Sequence, residues 1–555
     1  MTDNDVETDG SGVPGPYEVA STSSVFWVDA AADAIEARDP EEPIVVKGGV
    51  SPSGIPHIGH FNEILRGYYV AEVLRERGYE VRQVFTADDR DRLRKLPRQL
   101  ADTDWEIVGL SEVDAGALGR NLGQPYTDVP DPFGESGSYG DHFTDLLRRS
   151  VERLGIPVDF VSTTDRYEAG AFDDAIQTVL QNRETARELL GEYQNGVDDT
   201  YVPFFPICGS CGQLTETVTN LDLEGWTVSY ACEDIETGDE VIEGCGHEGT
   251  TSLRNGKLPW RFEWPAQWNL FDVDFEPFGK DHAEGSWQSG VDIAHSLFED
   301  EPPVPMVYEW FTLEGEALSS SSGNVITVDE VLDVLEPPVL RYFFIKEPLR
   351  QRDFSIERLD QLVDEFDRFE RSYIGALDDN EQEPSVPPEV YPMVVDEVRE
   401  ERFRIPYTFA AVLGMTDDPD LREEIARREG HIPADASDRA IEEALGRVER
   451  ARAWASRTGN EFDYELKRAE MPTVTLDDDT AAALAELADF VAAGHDGEAV
   501  QGRIFELAEE RNIDVGDFFA AGYRLFFDDT EGPKLGPFLA KLDRQFVVDR
   551  LRRER

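Results

Sequence analysis

Pro52-Ser53-Gly54-Ile55-Pro56-His57-Ile58-Gly59-His60 fixes the architecture of everything around it. Just before it, Ile44-Val45-Val46 reads as a short apolar strand leading into Lys47-Gly48-Gly49-Val50-Ser51. Just after it, Ile64, Leu65, Tyr68, Tyr69, Ala71 and Val73 recur at near-helical spacing until Gly78 stops the pattern. The local order is strand, Gly/Ser/Pro turn, helix, with two histidines in the helix's first turn. Such a turn offers backbone N–H groups and a positive helix end to an anion, a phosphate above all. Gly54 and Gly59, in one turn with Pro52 and Ser53, let backbone approach a nucleotide closely. His57 and His60 supply hydrogen-bond donors for phosphoryl oxygens whose charge is shifting.

Working outward, residues 21–40 read as a helix, with Phe26, Trp27, Ala30, Ala34 and Ile35 on one face. A second strand, 80–85, runs into Ala87-Asp88-Asp89-Arg90-Asp91-Arg92, and Ile156–Val161 reads as a third. A helix is expected from about Tyr139 to Leu154 and a long one from Ala169 to Gly191. Strand–turn–helix–strand in this spacing begins a Rossmann-like, doubly wound parallel sheet, whose ligands sit outside the carboxyl ends of its strands. Asp88 and Asp89 fall at such an end; the plain alternative is a solvated turn. From about Asp353 strand signals thin out. Helical patterns recur near 357–376, 390–403, 419–428, 438–456, 479–493, 498–511, 515–527 and 535–553, an all-α region.

The 555 residues exceed one ordinary core. The expected divisions are a disordered acidic lead-in over 1–20, an α/β domain over 21–315 with an insertion at 200–252, a connecting region over 316–375 and an α-helical domain over 376–555. No apolar run is long enough to span a bilayer and no basic, then apolar leader opens the chain, so a cytoplasmic location is expected, away from membranes. The formal net charge is −64, with only eight lysines, at 47, 95, 257, 280, 346, 467, 534 and 541. Acid excess with few lysines suggests an extreme halophile's cytoplasm, where molar salt shortens the Debye length to about 3 Å. In that solvent the charge excludes no polyanionic partner.

The four cysteines, Cys208, Cys211, Cys232 and Cys245, share one short region. Cys-x-x-Cys followed by short strands describes a zinc ribbon, a closed and structural site, with four free thiols as the alternative. Cys232 and Cys245 stand further apart than a usual second knuckle, which leaves His247 open as a substitute ligand. Further on, Phe275-Glu276-Pro277-Phe278-Gly279-Lys280-Asp281-His282 sets a cation, a carboxylate and an imidazole at one strand end, as a nucleotide and amino-acid site requires. Leu318-Ser319-Ser320-Ser321-Ser322-Gly323-Asn324 taken alone is a Ser/Gly loop.

The order of these blocks resembles the class I lysyl-tRNA synthetases, found mainly in archaea and some bacteria. Pro52–His60, Ala87–Pro97, Asp131–Gly134, Gly256–Arg261, Trp264–Trp268 and Phe275–His282 carry the likeness, which spans roughly residues 20–375. It implies activation of L-lysine by ATP with Mg²⁺, then transfer to the 3′ end of tRNA(Lys), with ATP, lysine and tRNA as partners and no DNA. It implies phosphate contacts from His57 and His60 and room for adenine at Gly59. ATP contacts are expected from Pro52, Ser53, Gly54, Gly279, Lys280, Asp281, His282, Leu318, Gly323 and Asn324. For the lysine pocket the candidates are Gly49, Asp88, Asp89, Trp264, Glu276 and Asp281, because a buried ammonium needs a carboxylate. The α-helical tail would hold the anticodon end.

Two departures stand out. The family's Lys-Met-Ser-x-Ser-Lys-Gly-Asn motif aligns to Ala317–Asn324, with both lysines replaced. Ser319, Ser321 and Ser322, with backbone N–H groups, Lys280 and Mg²⁺, then have to suffice. A further metal cluster of Asp, Cys, His and His is common in the family; here Asp131 and His142 remain, but Glu135 and Ser136 stand where Cys and His are expected. The rival readings are a non-catalytic tRNA-binding paralogue and a synthetase for another amino acid, glutamate first.

Overall fold

A computed structural model describes residues 14–21, 25–237, 240–318, 324–377, 380–399, 402–468 and 470–554. Its centre is a parallel five-stranded sheet built from β1 (Ile44–Val50), β2 (Val81–Ala87), β3 (Asp159–Ser162), β4 (Val273–Gly279) and β5 (Val304–Tyr308). The strand order is β5-β4-β1-β2-β3. Val46 pairs with Phe275 and with Gln83, while Phe275 pairs with Val304. The chain therefore builds outward from β1 on one side, then returns to build β4 and β5 on the other. The order reverses between β1 and β4, and in such sheets the crevice above that switch point takes the ligand.

Helix α1 (Phe61–Glu76) lies against β1 and β2 and is buried almost all round. Gly67 allows the close approach: a β-carbon there would stand 3.1 Å from Val46 Cγ1 and 3.1 Å from Gln83 Nε2. Gln83 Nε2 donates to the Ile64 carbonyl at 2.8 Å, which locks helix to sheet. Across the switch point, Lys47 Nζ of β1 donates to Glu276 Oε1 of β4 at 2.8 Å, both side chains buried. Trp268 Nε1 donates to the other Glu276 oxygen at 2.5 Å.

Several expected boundaries shift. Disorder through residue 20 fails over 14–21: Glu18–Ser21 is helical, Val19 is buried, and the Val307 N–H donates to the Pro16 carbonyl at 3.0 Å. The long helix expected over 169–191 is two, Asp173–Gln181 and Arg183–Tyr193, preceded by a separate short helix, Thr163–Glu168. Gly170, at φ +79°, ends the first turn system, and the Asn182 side chain bonds back to the Thr178 carbonyl at 2.9 Å instead of letting the helix run on.

The chain forms two compact units. One runs to Asp329 and includes 341–355 and 385–396; the other comprises 330–340, 356–384 and 397 onward. This interleaving replaces a single crossing near 375. The described residues of the second unit are helices and loops, among them Leu359–Tyr373, Asp478–Ala492, Gly497–Glu510 and Val515–Phe527. The helix expected near 390–403 is only Tyr391–Val394, and the last expected one breaks into Leu535–Lys541 and Arg544–Arg552, where Asp543 caps the new start.

The second unit is tied together by a buried ionic network. Arg447 donates to Asp367 at 2.6 and 2.8 Å, to Glu336 at 2.9 Å and to the Ile405 carbonyl at 2.8 Å. Arg404 reaches Glu370 at 2.6 Å. Removing one partner of such a network leaves its acids buried without compensation, which costs about 3–5 kcal/mol. Arg447→Met is expected to destabilise this unit by that amount in urea unfolding at constant KCl, and a loss under 1 kcal/mol would show the network to be solvated.

Candidate active site

The crevice above the switch point is a cavity of about 910 Å³. Gly49, Val50 and Ser51 close it from the end of β1, Asp88 and Asp91 from beyond β2, and Gly279, Asp281 and His282 from the end of β4. His57, Gly59 and His60 form the wall at the start of α1.

The two histidines are held by the turn itself. The Gly59 N–H donates to His57 Nδ1 at 3.1 Å, and the His57 N–H donates to His60 Nδ1 at 3.1 Å. The rings stack with centroids 4.0 Å apart. A ring nitrogen that accepts carries no proton, so each neutral imidazole has its proton on Nε2. Burial pushes His60 down to about 4, and burial with the neighbouring His60 holds His57 well below the usual histidine range. Both are neutral Nε2–H donors near pH 7. A β-carbon at Gly59 would meet His57 Cε1 at 2.6 Å and Leu318 Cδ1 at 3.8 Å, so the glycine lets the imidazole lie flat on the turn.

Of the carboxyl groups expected to form the pocket, Asp88 and Asp281 line the cavity. Asp89 does not: its carboxylate accepts from the Thr164 N–H at 2.8 Å and the Thr163 hydroxyl at 3.2 Å. Glu276 is consumed by Lys47 and Trp268, and Trp264 is buried in an aromatic cluster with Trp260, Trp268, Phe278 and Trp287. Lys280 turns to Glu309, 3.0 Å away, with its ammonium over Trp310 at 5.6 Å. Pro52 and Gly54 face a separate recess against Phe143 and Phe160, and the Ser53 carbonyl accepts from the Tyr139 hydroxyl at 2.9 Å. Leu318 lies on the cavity wall, and Asn324 Nδ2 donates to the Ala317 carbonyl at 3.0 Å. Ser319, Ser321, Ser322 and Gly323 lie outside the described residues.

Sequence reasoning missed Glu63 and Tyr308. Glu63 lies three residues beyond His60 on the same helix face and lines the cavity. It accepts from the Gly49 N–H at 2.8 Å and from the Tyr308 hydroxyl at 3.3 Å. Burial, reinforced by Glu276, pushes its carboxyl up to about 8. Asp88 is raised to about 7 by burial and by Glu263, although Gln267 Nε2 donates to it at 3.1 Å. Asp91 behaves oppositely: burial is outweighed by the Lys257 ammonium, and Ser51 Oγ donates to it at 2.7 Å. An i+3 step from the second histidine was the one signal for Glu63 in the sequence.

A family model described as tRNA synthetases class I (K) matches residues 25–392. The chain belongs to this class I tRNA synthetase family. The lysine–tRNA ligase of Haloarcula marismortui is 68% identical over 97% of this chain and 99% of its own length. That of Halobacterium salinarum is 63% identical over 97% and 99%. That of Pyrococcus horikoshii is 34% identical over 96% and 100%. Among solved structures, a glutamate tRNA ligase from Elizabethkingia meningosepticum aligns over 92% of this chain and 99% of its own, at 11% identity and a TM-score of 0.40. No helix of the described residues is long and apolar enough to cross a membrane.

Away from the cavity, the sulfurs of Cys208, Cys211, Cys232 and Cys245 lie within 4.8 Å of one another. The wide Cys232–Cys245 spacing is taken up by a hairpin, Ile235–Thr237 against Glu240–Ile242, which returns the chain to the cluster. His247 is not needed as a ligand. Cys208–Cys245 and Cys211–Cys232 separations are 3.7 and 3.6 Å, close to the roughly 3.8 Å that a tetrahedral ion with about 2.3 Å bonds to sulfur imposes. The set fits a structural metal. The Asp131–His142 pair, by contrast, is filled by protein. Asp131 accepts the N–H groups of Phe133, Glu135 and Ser136 at 3.1, 2.6 and 2.7 Å, and His142 Nε2 bonds the Ala101 carbonyl at 2.8 Å. The Cys₄ set is the only metal-type cluster among the described residues.

The His60 shift carries a sign. Between pH 6.5 and about 4 the unfolded chain binds a proton that the folded one refuses, so this residue's contribution to stability falls as pH falls. His60→Gln is expected to lose less stability than wild type between pH 6.5 and 4.5, by about 2–3 kcal/mol in paired denaturation series. Parallel pH profiles would mean that His60 is solvated.

Proposed function

We propose that this chain is a lysine–tRNA ligase. An oxygen of the lysine carboxylate attacks the ATP α-phosphorus, the bond to the β-phosphate bridge breaks, and pyrophosphate leaves. A ribose hydroxyl at the 3′ end of tRNA(Lys) then attacks the lysyl carbonyl carbon, AMP leaves, and the hydroxyl proton passes to solvent. ATP enters as its magnesium complex. His57 and His60 donate Nε2–H bonds to phosphoryl oxygens as charge grows there, and being neutral they need no proton bookkeeping. The four cysteines hold Zn²⁺ as a staple for the insertion, and the helical second unit takes the anticodon end. The family likeness, the buried carboxyl groups and the paired histidines support this reading.

The observation that carries it is Glu63. Three helical residues advance about 4.5 Å along the axis. A lysine whose carboxylate lies at the phosphate held by His60 therefore has its ammonium within reach of Glu63. There a half-buried carboxyl, oriented by Gly49 and Tyr308, has gathered no cation of its own beyond the neighbouring Lys47, which is spent on Glu276. Asp88 supplies a second acid on the same wall. Glutamate, bringing a further negative charge to these acids, is rejected.

In molar KCl with tRNA present, ATP–pyrophosphate exchange is expected with lysine and not with glutamate; exchange driven by glutamate, or none, sinks the reading. Glu63 holds a proton in the free enzyme below pH 8 and releases it when the ammonium binds. Lysine KM is therefore expected to fall roughly tenfold per pH unit as pH rises toward 8, then level. Glu63→Gln is expected to raise lysine KM at least tenfold and to flatten that profile. Elemental analysis is expected to give one zinc per chain, retained in His247→Ala and lost, with rapid proteolysis of 200–252, in Cys232→Ser.

A further inference from the structure

Helix α1 carries one further charge into the interior, a turn beyond Glu63. Arg66 is 2% exposed. Lys47, Lys257 and Arg447 each answer buried carboxylates. Arg66 does not: among the described residues it bonds neutral groups. Its Nε donates to Asn62 Oδ1 at 2.8 Å and its Nη1 to the Lys346 carbonyl at 3.3 Å. The guanidinium carbon stands 5.2 Å from the Trp27 ring centroid and 5.8 Å from that of Tyr308. Burial pushes this guanidinium down to about 9, with the like charge of Arg352 acting in the same direction. It is charged at pH 7 and held there at a cost. An apolar side chain of similar length would fill the same space without that cost. What it would not supply is direction, which a planar fork beside two rings gives to both.

Tyr308 needs such a fixture. It is the last residue of β5, an edge strand of the central sheet, and its ladder partner is Gly279 of β4. The chain leaves the sheet directly afterwards: the Glu309 N–H donates to the Pro348 carbonyl at 2.8 Å, and Trp310 is 52% exposed. The Tyr308 hydroxyl reaches Glu63 at 3.3 Å, near the long end of a hydrogen bond, so a small turn of the ring breaks it. Arg66 restrains this residue from two directions. Its guanidinium lies beside the ring, and on the far side Trp27 is anchored by Nε1 to the Ile345 carbonyl at 2.7 Å. Asn62, whose side-chain oxygen Arg66 holds, donates from Nδ2 to the Glu309 carbonyl at 3.4 Å, immediately after Tyr308.

We propose that Arg66 is a positioning residue for amino-acid binding, its guanidinium clamping Tyr308 so that the phenol hydroxyl stays aimed at Glu63. The inference rests on the reading of Glu63 given above. Asn62, Glu63 and Tyr308 line the cavity and Arg66 does not, so it acts through them without touching substrate. Being buried, the clamp is little screened by molar salt, unlike a charge on the surface.

The test is ATP–pyrophosphate exchange in molar KCl with tRNA present, with lysine and ATP varied in turn. Arg66→Met is expected to raise lysine KM about fivefold and to leave ATP KM and kcat within about twofold, the size expected for losing a cation–ring contact and weakening one hydrogen bond. Tyr308→Phe is expected to raise lysine KM by about as much. The double variant is expected to match Tyr308→Phe alone, because both changes break the same contact. Arg66→Lys, which keeps a cation beside the rings, is expected to recover most of the loss. Where the methionine variant does not fold, Arg66→Gln carries the same comparison with Tyr308→Phe. Effects that multiply in the double variant, an equal rise in ATP KM, or an unchanged lysine KM overturn the clamp and leave the ligase reading standing. A lysine KM unmoved by Glu63→Gln removes the reading of Glu63, and the clamp with it. No lysine-driven exchange by wild type sinks the ligase reading itself.

Discussion

The carboxyl end of the sheet gathers more buried and half-buried acids than its own cations balance. Glu63, Asp88, Asp91, Glu263 and Glu276 are gathered there against Lys47 and Lys257. Each lysine is committed, Lys47 to Glu276 across the β1–β4 switch and Lys257 to Asp91 and Glu263. The acids left over keep their protons because burial disfavours the charged form, and Glu63 and Asp88 rise accordingly. A site with too few cations for its acids is one that an incoming ammonium completes. Under the proposed function, the pocket's selectivity follows from the same imbalance that its folding has to tolerate.

The histidine turn solves a different problem with the same economy of charge. Two imidazoles beside a triphosphate would ordinarily gain protons and bind the ground state tightly. Here the turn's own N–H groups occupy both Nδ1 atoms, and burial keeps the rings neutral. Their Nε2–H groups are fixed dipoles, useful wherever charge shifts among phosphoryl oxygens and little affected by molar salt, which screens exposed charges far more than buried ones. The formal net charge of −64 and the buried network of the site thus answer to different physics.

What was legible in the sequence was local. Strand, turn and helix around His57–His60, the Cys-x-x-Cys knuckle and Asp88 at a strand end all follow from short-range pattern. Side-chain direction was not legible: Asp88 and Asp89 are adjacent, yet one enters the cavity and the other bonds Thr163 and Thr164. Nor was pairing across the sheet: Glu276 looked free because its partner Lys47 lies 229 positions away. Glu63 escaped notice because its value comes from burial under Tyr308 of β5, a contact no window on α1 contains. The Cys232–Cys245 gap left His247 open as an alternative to the four-cysteine set for the opposite reason, since a short hairpin cancels the extra length.

Under the proposed function, selecting lysine by a protonated acid has a modest energetic cost. At pH 7 Glu63, poised near 8, must surrender a proton to pair with the ammonium, at about 1.4 kcal/mol. A buried pair oriented by Gly49 and Tyr308 repays that cost, since a hydrogen bond to a charged group is worth about 1.5–3 kcal/mol net. Had Glu63 been ionised in the free enzyme, its charge beside Glu276 would have opposed folding with every substrate absent. The raised carboxyl therefore shifts the cost of the negative charge from folding, when no compensation is at hand, to binding, when the substrate supplies it.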